Sequence, residues 1–522
     1  MAAYQGFQAS RRAVLAGGLA LSATAAFGAE AKLEVVTKSG RLRGALVADG
    51  VRAFKGVPYA EAPVGPLRFK APVPIKAWTG VRDATQFGNA AIQNAGGLAG
   101  GVTISEDCLN LNVWAPTAPG PHPVFVWIQA GGNQGGSISH PGYDGAAFAR
   151  DGVIFVSMNY RVGALGFLEL GEAIGPEYAG SGNNGVKDMV ECLRWVKANI
   201  SAFGGDPNRV TLGAFLSGAK NGMIILTIPA AKGLFQRAIM QSGWTVAANP
   251  SEAHMMAKLS TDAIGGDIRK FLTATPAEIL TAQGKAGQAL PKGHPWGPWL
   301  DGKFIIRQPR EALQAGVARE IPLLLGADRD ETALGAPPAA GQPARALTAK
   351  QFSWLALPVA EALDVKYRAA YPELSDYDRR IRLATSEEAW IPTVDAASAH
   401  ARHGGQTWLY RFDASRVDGP RKGRAINGVE VAYAFDNLDK PEIVATGGSV
   451  RPEDRVLATQ VHTAWVAFIK GKAPAAQGLP AWPQYDETRR MTLIINHASV
   501  VESDPWGVER SLWKDVAFQP SI

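Results

Sequence analysis

Val210-Thr-Leu-Gly-Ala-Phe-Leu-Ser-Gly-Ala219 sets a short apolar run directly against a helical stretch, 216–227. The pattern recurs along the chain. Val124-Phe-Val-Trp-Ile128, Val153-Ile-Phe-Val156, Val210-Thr-Leu212, Ile239-Met240 and Pro322-Leu-Leu-Leu325 read as buried strands, with helical periodicity at 184–200, 216–227 and 455–470 between and after them. Strands that are apolar on both faces need cover on both faces. Strand, helix, strand repeated in this way predicts the α/β class: a doubly wound, mostly parallel sheet with helices on either side. The Gly/Pro-rich stretches 88–103, 334–346 and 414–427 read as surface excursions of one domain, 32–522, not as linkers.

Composition narrows the function classes. With 46% hydrophobic and 19% charged residues among 522, the chain is neither disordered nor fibrous. Its formal net charge of +6 is spread without a basic run, so no nucleic-acid partner is expected. Cys108 and Cys192 are the only cysteines, too few for a disulfide framework, and Cys192 falls on the apolar face of the 184–200 helix as a buried thiol. There is no Walker A loop, no His-Glu-x-x-His, no paired cysteines at zinc spacing and no dinucleotide fingerprint, so neither metal nor cofactor is predicted. His400-Ala-Arg-His403 has no carboxylate close by and reads as helix surface.

Ser10-Arg11-Arg12, the mild apolar stretch Ala13–Ala29 and the small-x-small Ala29-Glu30-Ala31 read as a twin-arginine export signal over residues 1–31. The apolar stretch is short and rich in Gly, Ala and Ser, unlike a membrane span. The expectation is a periplasmic or secreted protein, with no membrane association once the signal is removed.

Several blocks then fall in a telling order. Phe54-Lys-Gly-Val-Pro-Tyr-Ala60 leads to Pro66-Leu-Arg-Phe69, and Glu106-Asp-Cys-Leu-Asn-Leu-Asn-Val-Trp114 to Asn159-Tyr-Arg-Val-Gly-Ala-Leu-Gly-Phe167. Asn183-Asn-Gly185 precedes Ile200-Ser-Ala-Phe-Gly-Gly-Asp-Pro-Asn-Arg-Val210. In order and spacing these blocks resemble the type-B carboxylesterases, the cholinesterase-like branch of the α/β-hydrolase fold. The resemblance runs from about Leu33 to the C-terminal helices. It implies a Ser nucleophile on a Gly-x-Ser-x-Gly elbow, an acid after a later strand and a His in a late loop. An ester hydrolase of this kind needs an oxygen to attack, an imidazole to take its proton and a carboxylate to orient the imidazole.

The chain departs from that pattern where the chemistry sits. Ala214-Phe-Leu-Ser-Gly218 occupies the elbow, with Leu216 at the nucleophile position and Phe215 where the family usually has Glu. Gly423-Arg-Ala-Ile-Asn-Gly-Val-Glu430 matches the His-Gly-x-Glu loop with Asn427 in place of His. An amide has no titratable proton near neutral pH and cannot serve as a general base. Leu325-Gly-Ala-Asp-Arg-Asp-Glu331 keeps the acid, Glu331, which has no imidazole to polarise and reads as a structural carboxylate. The oxyanion loop, His-Gly-Gly-Gly-Phe in the family, is Gln129-Ala-Gly-Gly-Asn133. Gly131 and Gly132 match its donors, and the N–H of Ser217 is the third, so a carbonyl- or carboxylate-binding nest could outlast hydrolysis. Cys108 matches a bridged position whose partner slot is Ala91, so that disulfide is not implied.

Three readings follow. The first is a carboxylesterase-fold protein without triad chemistry that binds a small ester, carbonyl or carboxylate ligand. The second is an ester hydrolase with a displaced nucleophile, Ser217, served by Lys220 as base in a Ser-x-x-Lys dyad. The third is a cofactor-free, non-hydrolytic enzyme using the same pocket. Trp244, Trp296 and Trp299 are candidates to line it, although core filling explains indoles equally well.

Overall fold

The computed structural model describes residues 33–517 apart from 97–98, 244, 291–294, 334–345, 416–417, 419–421 and 442–447. The export segment, Trp244 and nearly all of the 334–346 excursion lie outside the described residues.

A three-stranded sheet is formed by β1 (Glu34–Val36), β2 (Arg41–Arg43) and β5 (Val81–Asp83). The main sheet has eleven strands: β3 (Ala45–Ala48), β4 (Val51–Pro58), β6 (Asn110–Pro116), β7 (His122–Ile128), β8 (Ile154–Met158), β9 (Gly205–Phe215), β10 (Arg237–Gln241), β11 (Leu323–Asp328), β12 (Thr407–Phe412), β13 (Met491–Ile495) and β14 (Val500–Ser503). Their spatial order is β14-β13-β12-β11-β10-β9-β7-β8-β6-β4-β3. From β13 to β8 every pairing is parallel, while β14 and the β6-β4-β3 flank run antiparallel. Each of the five predicted strands lies in the parallel block.

Alternation along those strands feeds two separate cores. Val124, Val126 and Ile128 of β7 pack into one, and Phe125 and Trp127 into the other. Leu323 and Leu325 of β11 likewise oppose Leu324. Helices cover both faces; Asn184–Asn199 buries Val186, Met189, Cys192 and Leu193 against the first core. Both cysteines are buried free thiols.

Register sets the site. Ile128 pairs with Ala214, Phe215 with Gln241 and Gln241 with Gly326, so β7, β9, β10 and β11 end side by side. Carbonyl-end loops of adjacent parallel strands form the crevice where such sheets carry their sites. One expectation fails here. His400 is not on a helix surface but buried, bonded to Thr407 Oγ1 at 2.8 Å and to the Ala318 carbonyl at 3.1 Å. The Gly405 turn brings the ring against the neighbouring strand, which helical periodicity cannot reveal. His403 caps that helix and meets the Gln314 carbonyl at 2.7 Å.

Candidate active site at the strand ends

The chain turns from β9 into the helix Ser217–Thr227 at a single residue, Leu216, with φ 48° and ψ −119°. An L side chain rarely adopts that backbone, and holding it there costs on the order of 1–3 kcal/mol. The surroundings over-determine it. The Leu216 N–H donates to the Gln241 carbonyl at 2.9 Å, and the Leu216 carbonyl accepts from the Lys220 N–H at 2.7 Å. A Cβ on Gly218 would lie 2.5 Å from the Gln129 carbonyl oxygen and 2.6 Å from that of Ile128, so the helix start can sit this close to β7 only as glycine. Leu216 is half-buried, packed with Phe215 on the second core.

The second turn, after β7, is equally fixed. Gly131 has φ 135°, and a Cβ there would meet the Gly135 carbonyl oxygen at 2.1 Å. Gln93 grips Gly136 from the 88–103 excursion, accepting from its N–H and donating to its carbonyl, both at 2.9 Å. Asn133, with φ 57°, accepts at its side-chain oxygen from Asn221 Nδ2 at 2.8 Å. Gln129 is fully buried, yet neither its Oε1 nor its Nε2 finds a hydrogen-bond partner among the described residues.

The nest these turns build differs from the three-donor expectation. Gly132 N–H donates to Ser217 Oγ at 2.9 Å. Among the described residues no acceptor takes the Gly131 or Ser217 N–H. Ser217 is only 3% exposed, and its hydroxyl lies against the Tyr160 phenol. Among the described residues no hydrogen bond joins Ser217 to Lys220: the Ser217 oxygen accepts from Gly132 and lies by the Tyr160 phenol, and the Lys220 amine reaches the Gly297 backbone, 3.1 Å from where a Cβ would stand. Burial lowers the Lys220 amine to about 8, partly offset by Glu252.

Glu331 is buried at the end of β11, and one carboxyl oxygen is committed: the Asp328 N–H donates to Oε1 at 2.9 Å, and the Ser242 hydroxyl donates to the same atom. Its Oε2 has no hydrogen-bond partner among the described residues. Asn427 is half-buried and makes no hydrogen bond with any described residue, although its neighbour Gly428 donates to Asp328 Oδ2 at 3.0 Å. Gly428 also lies against the Phe215 ring, 3.3 Å from its would-be Cβ. Gly428, the neighbour of Asn427, thus touches both Phe215, the neighbour of Leu216, and Asp328, whose N–H bonds Glu331. Burial, reinforced by mutual repulsion with Glu430, raises Asp328 and Glu331 well above the ordinary carboxyl range, and burial raises Glu430 to about 7. Glu388, on a single π-helical turn Ser386–Trp390, is likewise raised to about 7 by burial and adds its charge to the field at Glu331.

Sequence reasoning missed Gln93, Tyr160, Ser242, Asp328 and Glu388. Asp328 could have been found, lying three residues before the acid. The others come from distant segments that only the fold unites. Trp296 is core, and Trp299 is partly exposed beside Gly182. Among the described residues no group of three or more His, Cys, Asp or Glu side chains is placed to hold a metal ion, and no helix is long and apolar enough to cross a membrane.

A parallel sheet with a one-residue strand-to-helix elbow, a glycine turn beside it and an acid two strands away defines the α/β-hydrolase class. Comparison with known proteins narrows the class. Residues 31–511 match the carboxylesterase family. The para-nitrobenzyl esterase of Bacillus subtilis is 36% identical over 489 residues, 91% of this chain and 97% of that protein. The cholinesterase of Mus musculus is 38% identical over 527 residues, covering 88% and 83%. A solved PNB esterase structure superposes with a TM-score of 0.82 at 32% identity, over 94% of this chain and all of that one. A Geobacillus stearothermophilus carboxylesterase gives 0.79 at 34% identity, covering 92% and 100%. The chain belongs to the carboxylesterase family.

Proposed function

We propose that this carboxylesterase-family protein binds a small ester, carbonyl or carboxylate ligand at the strand ends without hydrolysing it. One observation carries the reading: the residue on the strained elbow is Leu216. Acyl transfer from an elbow begins with a lone pair attacking the carbonyl carbon, and an isobutyl group has none. The remaining parts agree. Asn427 cannot accept the proton, and Glu331 spends one oxygen on Ser242 and the Asp328 N–H. Family relatives named as esterases make an ester-like ligand the natural class, and the walls at Leu216 and Phe215 suit an apolar body beside the polar group.

The displaced-nucleophile reading draws no support from the Ser217 contacts, and nothing favours the third. Intact-mass analysis after exposure to a fluorophosphonate decides. No adduct is the expected result; a stoichiometric adduct on Ser217 would overturn the proposal and restore the dyad.

We further propose export of residues 32–522 by the twin-arginine route, carried by Ser10-Arg11-Arg12 before the mild apolar stretch. An Arg11→Lys, Arg12→Lys double variant should remain in the cytoplasm. Normal periplasmic recovery of that variant would contradict it.

A further inference from the structure

We infer that Ser217 closes the oxyanion nest from within: its side-chain oxygen sits where a ligand oxygen would meet Gly132, making this chain inert at a third position besides Leu216 and Asn427. The inference rests on the reading of the elbow given above and adds a lock that neither departure requires.

The geometry is specific. Ser217 Oγ accepts from the Gly132 N–H at 2.9 Å, an ordinary N–H···O bond length. The Tyr160 phenol oxygen is within reach of the serine's own O–H. Tyr160 is itself held, donating toward the Gln129 carbonyl and Asn133 Oδ1, each at 3.3 Å. Nor can the glycine turn easily swing to offer its N–H elsewhere. Gln93 clamps Gly136, Asn221 ties down Asn133, and the Asn133 carbonyl accepts from the Gly163 N–H at 2.6 Å. Ser217 opens the first turn of the helix Ser217–Thr227, so its hydroxyl is carried by the helix start.

Two consequences follow for ligands. A carbonyl or carboxylate oxygen finds two backbone donors, Gly131 and Ser217, instead of three. It must also approach the lone pairs of Ser217 Oγ, which repel it. Stabilising an oxyanion depends on donors already aimed at the developing charge, and loss of one such donor in a hydrolase costs roughly 10²–10³ in rate. Removing the hydroxyl while keeping the backbone should therefore open the nest.

The test adds Ser217→Ala to a rebuilt triad, Leu216→Ser with Asn427→His. In the rebuilt site the introduced hydroxyl attacks the ester carbonyl carbon and the introduced imidazole takes its proton. The carbonyl oxygen gains the negative charge at the nest; p-nitrophenol then leaves with that proton, leaving an acetyl ester on the introduced serine, and water, giving its proton to the imidazole, attacks that ester to release acetate and restore the hydroxyl. We expect p-nitrophenyl acetate kcat/KM to rise about 10-fold or more on adding Ser217→Ala, and not on adding Ser217→Thr, which keeps a hydroxyl. Equal rates with and without Ser217→Ala, in folded variants that label with fluorophosphonate, would overturn the inference. Should every rebuilt variant be inert, amide exchange on the otherwise native chain decides. Ser217→Ala should speed deuterium uptake at the Gly132 amide, and unchanged uptake there would likewise overturn it. Ester turnover by the native chain would instead overturn the proposed function and leave the Gly132 bond to be judged by the exchange result alone.

Discussion

The elbow and the acid pocket face each other across the same strand ends, yet they are held together in opposite ways. At the elbow the strained Leu216 backbone is bonded on both sides, to Gln241 and Lys220, and the glycine turn opposite is clamped by Gln93. In the acid pocket Asp328 Oδ1 and Glu331 Oε2 are buried without a hydrogen-bond partner among the described residues, and the buried Glu430 carboxyl lies against Tyr410, Gln241 and Ser242. The elbow is built from backbone and packing, which survive a change of side chain at its centre. The pocket depends instead on side-chain carboxyls, where burial and repulsion from Glu430 raise Asp328 and Glu331. The frame is thus tied by contacts that do not depend on the side chain at position 216.

If the frame is as rigid as that contrast requires, the largest effect comes from its closest approach. Gly218→Ala places a Cβ against two carbonyl oxygens of the β7 end, and should cost about 3 kcal/mol or more in denaturant unfolding, or prevent folding. A loss under about 1 kcal/mol would show that the elbow is loose.

The acid pocket should betray itself through pH. Glu430 is raised from 4.5 to about 7 by burial, and Glu388 similarly. A raised folded-state value means that the native protein holds a proton the unfolded chain releases. The associated stability is complete below about pH 4.5 and is lost as pH climbs through about 7. Melting temperature should therefore fall between pH 5 and pH 8, by on the order of 2 kcal/mol in stability for such a group. Glu430→Gln, which mimics the protonated acid, should flatten that slope. A slope unchanged in Glu430→Gln would mean that the carboxyl is ionised and paired after all.

The smallest effect is diagnostic because it is small. Leu216→Gly deletes a half-buried leucine but releases the φ 48° backbone to a residue that accepts it freely. The two terms oppose, and unfolding should shift by less than about 1 kcal/mol, against about 2–5 kcal/mol for Leu212→Ala, fully buried in the strand before it. Comparable losses at the two positions would mean that Leu216 carries no strain.

How far this was legible follows the same division. Strands β7 to β11 could be read because both their faces are apolar, and the elbow because Ala214 and Gly218 are small on either side of Leu216. β12 and β13 were not read: Thr407–Phe412 carries Arg411, buried beside Asp413 Oδ1 at 2.7 Å, and Met491–Ile495 follows two arginines. The proposal for Leu216 and Asn427 rests on register within recognisable motifs. The capture of Gly132 by Ser217 could not be read, since it depends on a rotamer. Nor could the clamp at Gln93, 43 positions from Gly136, or the burial of His400. Such contacts join segments that no local pattern connects.

The central claim is that this elbow has no nucleophile, and steady-state p-nitrophenyl acetate turnover by the native chain beside its Ser217→Ala variant tests it most directly. The account predicts that both remain at the rate of buffer alone, because neither Leu216 nor a Gly132-bonded Ser217 can attack a carbonyl. Turnover by the native chain that disappears in Ser217→Ala would contradict it and make Ser217 the nucleophile.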